Sequence, residues 1–308
     1  MDAMALNSKI PEYQRELASL ISSHTDRDGT TQTAIPSLAL YRASNITEPL
    51  HSIYEPSVCV IAQGSKVVVL ANETYHYDIN SYLVASVRLP VAGQIKEATP
   101  QKPYLCVTLS FNTSEILDVL RETVQSRSSR TSPRRGMLVN KNNGELLDAV
   151  VRLVRLLDKP NDIPVLSPLI IREILYRVMQ DDHDDLIRQF AIIGSHAQSI
   201  ARVIRMISQD YSKPLRIDDL AKEVNMSPSA LHSQFKQVTA MSPIQYQKLI
   251  RLQEARRLLL SETSDAATVG FNVGYESPSQ FSREYARMYG LPPISDVKRV
   301  RTSLSAGP

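Results

Sequence analysis

The sequence predicts an α+β chain in two parts: an antiparallel β sandwich or barrel followed by helices, then an all-α domain with two helix-turn-helix motifs. Three observations carry this. Strand-like segments crowd residues 34–111, helical periodicity takes over from residue 112, and a capped helical pair occurs twice after residue 196. The length of 308 residues fits two domains at roughly 150 residues each. With 43% hydrophobic and 22% charged residues, the composition supports real cores and excludes a wholly disordered chain.

Other classes drop out early. No apolar run nears the about 18 residues of a membrane span, and MDAMALNSKIPEYQ lacks the basic and apolar regions of a secretory signal. Cys59 and Cys106 are the two cysteines, too few for a disulfide framework or a four-thiolate zinc site. A reducing cytoplasm, on the nucleoid and away from the membrane, is therefore the expected location. Charge is uneven along the chain. From His196 onward fifteen basic side chains face ten acidic ones, while residues 1–195 hold twenty against twenty-two. A basic C-terminal third beside a mildly acidic remainder points to a polyanion-binding module.

The elements follow in order. Pro11 to Ile21 reads as a short helix with Leu17, Leu20 and Ile21 apolar. SLALYRA, SVCVIAQ, KVVVLAN, TYHYDI, SYLVASV and YLCVTLSF read as strands rich in β-branched residues and tyrosine. Gln63-Gly64, Ala71-Asn72, Asp78-Ile79-Asn80 and Thr99-Pro100 separate them as turns. Several are apolar on both faces, so one sheet face is covered and the other lines an apolar interior. Asn112 and Glu115 make a capping box for a helix to about Gln125, and the arginine-bearing SRSSRTSPRRG reads as a solvated loop. GELLDAVVRLVRLLDKP is a helix over 145–157, ended by Pro160. Its apolar stripe is wide enough to pack on the barrel or to meet a second copy of the chain, with Leu153 among its outer leucines. LSPLIIREILYRVM is a further helix started by Ser167 and Pro168.

The repeat is the most informative feature. SPSALHSQF begins at Ser227 and SPSQFSREY at Ser277, fifty positions on. In each copy Ser caps a helix and Pro fills its first turn, where a missing N–H costs nothing. An apolar residue (Leu231, Phe281) is followed four positions later by an aromatic one (Phe235, Tyr285), placing both on the buried side. A short helix precedes each, over 217–224 and 266–272, with turns at Asn225-Met226 and Gly274-Tyr275-Glu276. Helix, tight turn and capped second helix is the DNA-reading pattern. Between the copies SPIQYQKLIRLQEARRLLLSE forms a rod of about 27 Å. That length suits two recognition helices in successive major grooves, about 34 Å apart.

These residues resemble the AraC/XylS family of bacterial transcription regulators. PLRIDDLAKEVNMSPSALHSQFKQVTAMSPIQYQKLIRLQEARRLL and VGYESPSQFSREYARMYGLPP carry the resemblance over 196–303. YEPSVCVIAQGSKVV, YLVASVRLPVAG and PYLCVTLSF are similar to the N-terminal domain of one subgroup. The resemblance implies a cupin-like β-barrel sensing domain, helices that dimerise, and a double helix-turn-helix domain. On that basis residues 1–190 are the effector-sensing and dimerisation domain, with the barrel at about 34–111 and helices at about 112–190. Residues 196–303 are the DNA-binding domain. Ala240 departs from the family, most members of which carry Gly there; a left-handed C-cap is awkward for Ala.

Helical arithmetic then assigns the candidate DNA contacts. With Leu231, Phe235 and Val238 buried, the first recognition helix presents Ser229, His232, Ser233 and Lys236. With Phe281 and Tyr285 buried, the second presents Ser279, Gln280, Ser282 and Arg283. Arg283 has the fork for guanine and Gln280 the amide for adenine, while the serines suit phosphates or bridging waters.

Elsewhere the chemistry is thin. His51 and His76 form no HxH pair, DDHDD over 181–185 lacks the glycine and spacing of a calcium loop, and no metal or cofactor is expected. Cys59 and Cys106, in apolar strands, are the candidate effector-pocket residues, either inert or as thiols that react with electrophiles. The expected effector is small and largely uncharged, because no buried Arg is evident to hold a carboxylate. The reading is a sequence-specific transcription regulator, not an enzyme. Its expected partners are double-stranded promoter DNA, an unidentified small-molecule effector, RNA polymerase and a second copy in a homodimer. The competing reading is a cupin-type enzyme fused to a DNA-targeting domain.

Overall fold

Tyr13, Leu17 and Ile21 recur every fourth residue and form the buried side of α1 (Ile10–Ser23), with Pro11 in its first turn. The computed structural model describes residues 6–122, 134–181, 186–191, 195–261 and 265–305. The chain divides into two units, residues 1–201 and 202–308.

Two antiparallel sheets follow α1 in the first unit. One runs β1 (Gly29–Gln32), β2 (Leu38–Ala43), β9 (Tyr104–Ser110), β4 (Ser57–Gln63), β7 (Ser81–Ala85) and β10 (Met137–Lys141). The other runs β3 (Leu50–Tyr54), β8 (Leu89–Glu97), β5 (Ser65–Leu70) and β6 (Glu73–Asp78). The six strands read from the sequence are all present, and their turn chemistry is as expected. Ala71-Asn72 closes a two-residue hairpin between Leu70 and Glu73, and the Asp78 carboxylate accepts from the Asn80 N–H.

The sequence reading omits β1, β3, β8 and β10. β1 is polar (GTTQ), β3 has no fully buried position, and β8 contains Pro90. β10 joins β7 from more than fifty residues away, a pairing that no local pattern reveals. The sheets therefore take in residues 29–32 and 137–141, outside the expected 34–111.

Asn112 and Glu115 cap α2 (Thr113–Glu122) reciprocally: Asn112 N–H donates to the Glu115 carboxylate, and Glu115 N–H to the Asn112 side chain. The expected end near Gln125, most of the SRSSRTSPRRG loop, and DDHDD from Asp182 lie outside the described residues. α3 (Gly144–Arg155) is capped by Asn143, which accepts from Leu146 N at 2.8 Å. Its wide stripe is consumed within the chain, against α1 on one side and α4 (Ile163–Asp181) on the other. Leu153 is fully buried, so it is not available to a second copy. α4 begins at Ile163, not at Ser167, because the short 3₁₀ turn Pro160–Asp162 leads straight into it and Pro168 sits inside its second turn. α5 (Leu186–Ala191) ends the described helices before the junction.

α6 (His196–Gln209) crosses the unit boundary, followed by α7 (Ile217–Glu223) and α8 (Pro228–Thr239). The long α9 (Pro243–Ser261) leads to α10 (Ala266–Asn272), α11 (Pro278–Tyr289) and α12 (Pro293–Ser305). α9 supplies Leu252, Ala255 and Leu259 to a core with Val269, Val273, Phe281, Tyr285 and Val297. Its Arg256 reaches Asp296, which is fully buried and also accepts from the Tyr285 hydroxyl at 2.9 Å. Removing one member of such a set strands a buried charge, which costs about 3–5 kcal/mol.

Both recognition helices end in the left-handed conformation at positions fifty apart. Gly290 sits at φ 79° and Ala240 at φ 63°, each donating its N–H to the carbonyl four residues back. Ala240 thus adopts the cap that its side chain disfavours. Ala240→Gly should raise the unfolding free energy by about 0.5–1 kcal/mol, the left-handed strain relieved less the added unfolded-state entropy. Gly290→Ala, whose new Cβ would meet nothing within 4 Å, should lower it by about 1 kcal/mol. Denaturant titration of the two variants checks both signs.

Candidate functional site

α8 and α11 are built alike. Ser227 accepts from Ala230 N at 3.2 Å and Ser277 from Gln280 N at 3.4 Å, with Pro in the first turn of each helix. Leu231, Phe235 and Val238 on α8, and Phe281 and Tyr285 on α11, are fully buried. Phe235 meets Tyr246 edge-on at 5.5 Å, and Phe281 meets Tyr285 at 5.6 Å. This packing turns the opposite sides outward.

Ser229, His232, Ser233 and Lys236 are exposed on α8, as are Ser279, Gln280 and Arg283 on α11. Ser282 is only partly exposed, and the Ser229 hydroxyl lies 3.2 Å from that of Ser227, at the cap. Arg287, one turn beyond Arg283, is exposed on the same side and was missed. The i+4 spacing of the two arginines was the available signal. The flanking carboxylate is neutralised: Glu284 pairs with Lys248 at 3.0 Å and accepts from the Tyr275 hydroxyl at 2.9 Å. Burial raises its pKa, but these partners outweigh burial and hold it below the usual range.

Arg251 of α9 positions the second motif. Its guanidinium donates to the carbonyls of Tyr211, Ser212, Lys213 and Gly274 at 2.7–3.2 Å. Gly274, at φ 93°, lies so close to this strap that a Cβ there would come within 2.1 Å of the Ser212 carbonyl oxygen.

The space between the sheets differs from the expected apolar interior. Cys59 stands opposite Thr108 across β4 and β9, and Cys106 opposite Tyr41 across β9 and β2. Strand alternation puts Tyr41, Cys59, Tyr104, Cys106 and Thr108 on one inner face. From the other sheet Lys66 reaches in, opposite Tyr77 on β6. Its ammonium lies 5.5, 5.7 and 5.9 Å from the ring centres of Tyr54, Tyr41 and Tyr104. Burial disfavours its charge, but the Tyr54 hydroxyl and both thiols outweigh burial and keep Lys66 protonated. A hydrogen bond from Cys106, with smaller help from Thr108, Lys66 and Ser57, lowers Cys59 to about 7 against the cost of burial. The same bond, with burial, pushes Cys106 well up. Lys66 was missed because β5 reads as apolar on both faces; its parity with Val68 and Leu70 was the signal. His76 is exposed, and among the described residues no three His, Cys, Asp or Glu side chains gather to hold a metal.

A doubled helix-turn-helix domain joined to a double-sheet barrel defines a DNA-binding protein with an attached second domain. The family model described as AraC-type transcriptional regulator N-terminus matches residues 34–186, and that of a helix-turn-helix domain matches 220–299. The chain belongs to the AraC family of transcription regulators. It is 22% identical to the lactose operon transcription activator of Staphylococcus xylosus over 243 residues, 78% of this chain and 83% of that protein. With the transcriptional activator RhaS of Pectobacterium atrosepticum it shares 28% identity over 102 residues, 33% of this chain and 37% of that one. The structure of ToxT from Vibrio cholerae with an unsaturated fatty acid bound has a similar fold. Its TM-score is 0.53 at 13% identity, covering 84% of this chain and 94% of ToxT. Among the described residues no helix is long and apolar enough to cross a membrane.

The thiol pair yields a test by pH. Because Cys59 is lowered to about 7 when folded and stands near 9 when unfolded, unfolding takes up a proton between those values. Its contribution to stability is therefore full above the unfolded value and is lost as pH falls through the folded one. Cys106→Ala removes the largest cause. The Cys59 titration, followed by ultraviolet thiolate absorbance, should then move up toward its ordinary range. An unmoved midpoint refutes the assignment.

Proposed function

We propose that this AraC-family regulator reads promoter DNA with α8 and α11 in successive major grooves, under control of a small molecule held between its two sheets. The observation that carries this is the pair of Ser-Pro-capped helices fifty residues apart, each burying its apolar side and exposing its polar one. Residues 196–303 act as the DNA-binding domain and residues 1–190 as the sensing and dimerisation domain. Arg283 and Gln280 read bases, with Arg287 beside them. Ser229, His232, Ser233, Lys236, Ser279 and Ser282 supply phosphate, water-mediated or further base contacts. Effector binding alters transcription through its different affinity for two arrangements of the protein. Support for a sensor comes from the matched N-terminal family and from ToxT, a protein of similar fold solved with a fatty acid. The protein works in the cytoplasm on the nucleoid, with RNA polymerase as its partner in transcription. Family matches to regulator domains at both ends favour this reading over a barrel enzyme.

The homodimer seam moves from α3 to α4. Val165, Leu169 and Tyr176 are 67%, 61% and 37% exposed along one side of α4, whereas the leucines of α3 are spent inside the chain. Leu169→Glu should give a folded monomer that binds paired half-sites poorly, as read by analytical ultracentrifugation and gel shift. A wild-type chain that sediments as a monomer at micromolar concentration removes the dimer.

The DNA reading is tested on the full chain by promoter affinity across a salt series. Affinity should fall steeply with salt as Lys and Arg displace condensed counterions. Arg283→Ala should cost about 1–3 kcal/mol at the specific site and relax preference at one base position in a binding-site selection. A flat salt response, or an unchanged preference, contradicts the assignment.

A further inference from the structure

Lys66 is a partly buried cation between the sheets with no carboxylate in ion-pairing range among the described residues. A charge in that position is costly unless a partner arrives to meet it. Two observations beside it point the same way. The Tyr104 hydroxyl is fully buried and lacks a hydrogen-bond partner; the thiol of Cys106 beside it is a poor acceptor. β5 and β8 also slip register at Ser65 and Lys66, an irregularity of the kind that re-aims a side chain next to a site. Gly93 leaves the space open: a Cβ there would stand 3.0 Å from Lys66 Cε and 3.6 Å from both Lys66 Nζ and the Tyr54 hydroxyl.

We propose that Lys66, with the Tyr54 and Tyr104 hydroxyls, is the seat of a carboxylate, and that the effector is a small monocarboxylic acid with an apolar body. One ammonium balances one negative charge, and two phenols can donate to the two carboxylate oxygens. A phosphate dianion would leave a charge unbalanced. Ile61, Val68, Tyr77 and Val91 share the inner faces around this seat and suit an apolar body. A carboxylate effector replaces the uncharged one expected from the sequence, and its assignment rests on the sensor reading proposed above.

The test is thermal denaturation and calorimetry of the full chain with benzoate, hexanoate and decanoate, each beside its own amide. At least one acid should raise the wild-type midpoint by at least about 2 °C through mass action, and its amide should not. Lys66→Met should unfold at a higher temperature than wild type without ligand, because an unbalanced charge is gone, and should bind that acid at least about tenfold more weakly. Tyr104→Phe, which keeps the ring, should not lower the unliganded midpoint and should weaken the acid alone. The seat is refuted if no acid shifts the wild type, if acid and amide bind alike, or if Lys66→Met keeps the acid response. It is also refuted if unliganded Lys66→Met is less stable, since the ammonium would then be satisfied by the protein. Promoter binding by the same unliganded chains, with α8 and α11 untouched, separates these outcomes. Its loss in the wild type would reject the regulator reading instead.

Discussion

Both DNA-reading motifs depend on α9 as a shared beam, and Arg251 is the fastening that makes it one. A guanidinium has five donors in a fixed plane, and here they meet four backbone carbonyls from two separate stretches of chain. One stretch, 211–213, leads into the first motif; the other, at Gly274, is the turn of the second. Backbone carbonyls in turns have no ladder to satisfy them, so the arginine supplies what regular structure would have supplied. At the far end of the beam Arg256 does the same for α12 through Asp296, with its guanidinium 4.5 Å above the Tyr289 ring. Two cationic side chains thus fix the spacing of the two motifs along α9.

The two motifs share a scaffold and differ in the side chains on their exposed sides. Caps, first-turn prolines, buried aromatics and left-handed ends recur at a fifty-residue offset. The outward sides diverge. α8 offers small hydroxyls, an imidazole and one lysine; α11 offers a glutamine and two arginines, with its acidic neighbour already neutralised by Lys248. Side chains capable of bidentate hydrogen bonding are concentrated on the exposed side of the second helix.

The first unit follows a different logic. Its sheets close around tyrosines, two thiols and an ammonium where an aliphatic core would be more stable. Binding sites commonly carry such a cost, because groups arranged for a ligand are poorly served by the protein alone. The proximity of Cys59 and Cys106 splits the two thiols, lowering one and raising the other.

The sequence by itself determined features set by local chemistry, the Ser167-Pro168 pair excepted. Ser-Pro caps, the Asn112–Glu115 box, the turns at Ala71-Asn72 and Asp78–Asn80, and the buried sides of α8 and α11 all act within about four residues, so spacing alone reveals them. Tertiary structure decided whatever depends on distant partners. β10 is a strand only because β7 offers it an edge, and Leu153 is inside because α1 and α4 both claim α3. Pro168 lies inside α4, at the cost of one helix hydrogen bond, because the helix starts five residues earlier at Ile163. Lys66 faces inward because β5 must bury Val68 and Leu70 on one parity. An alternating pattern says which residues share a face, and only the packing of the second sheet says which face is closed.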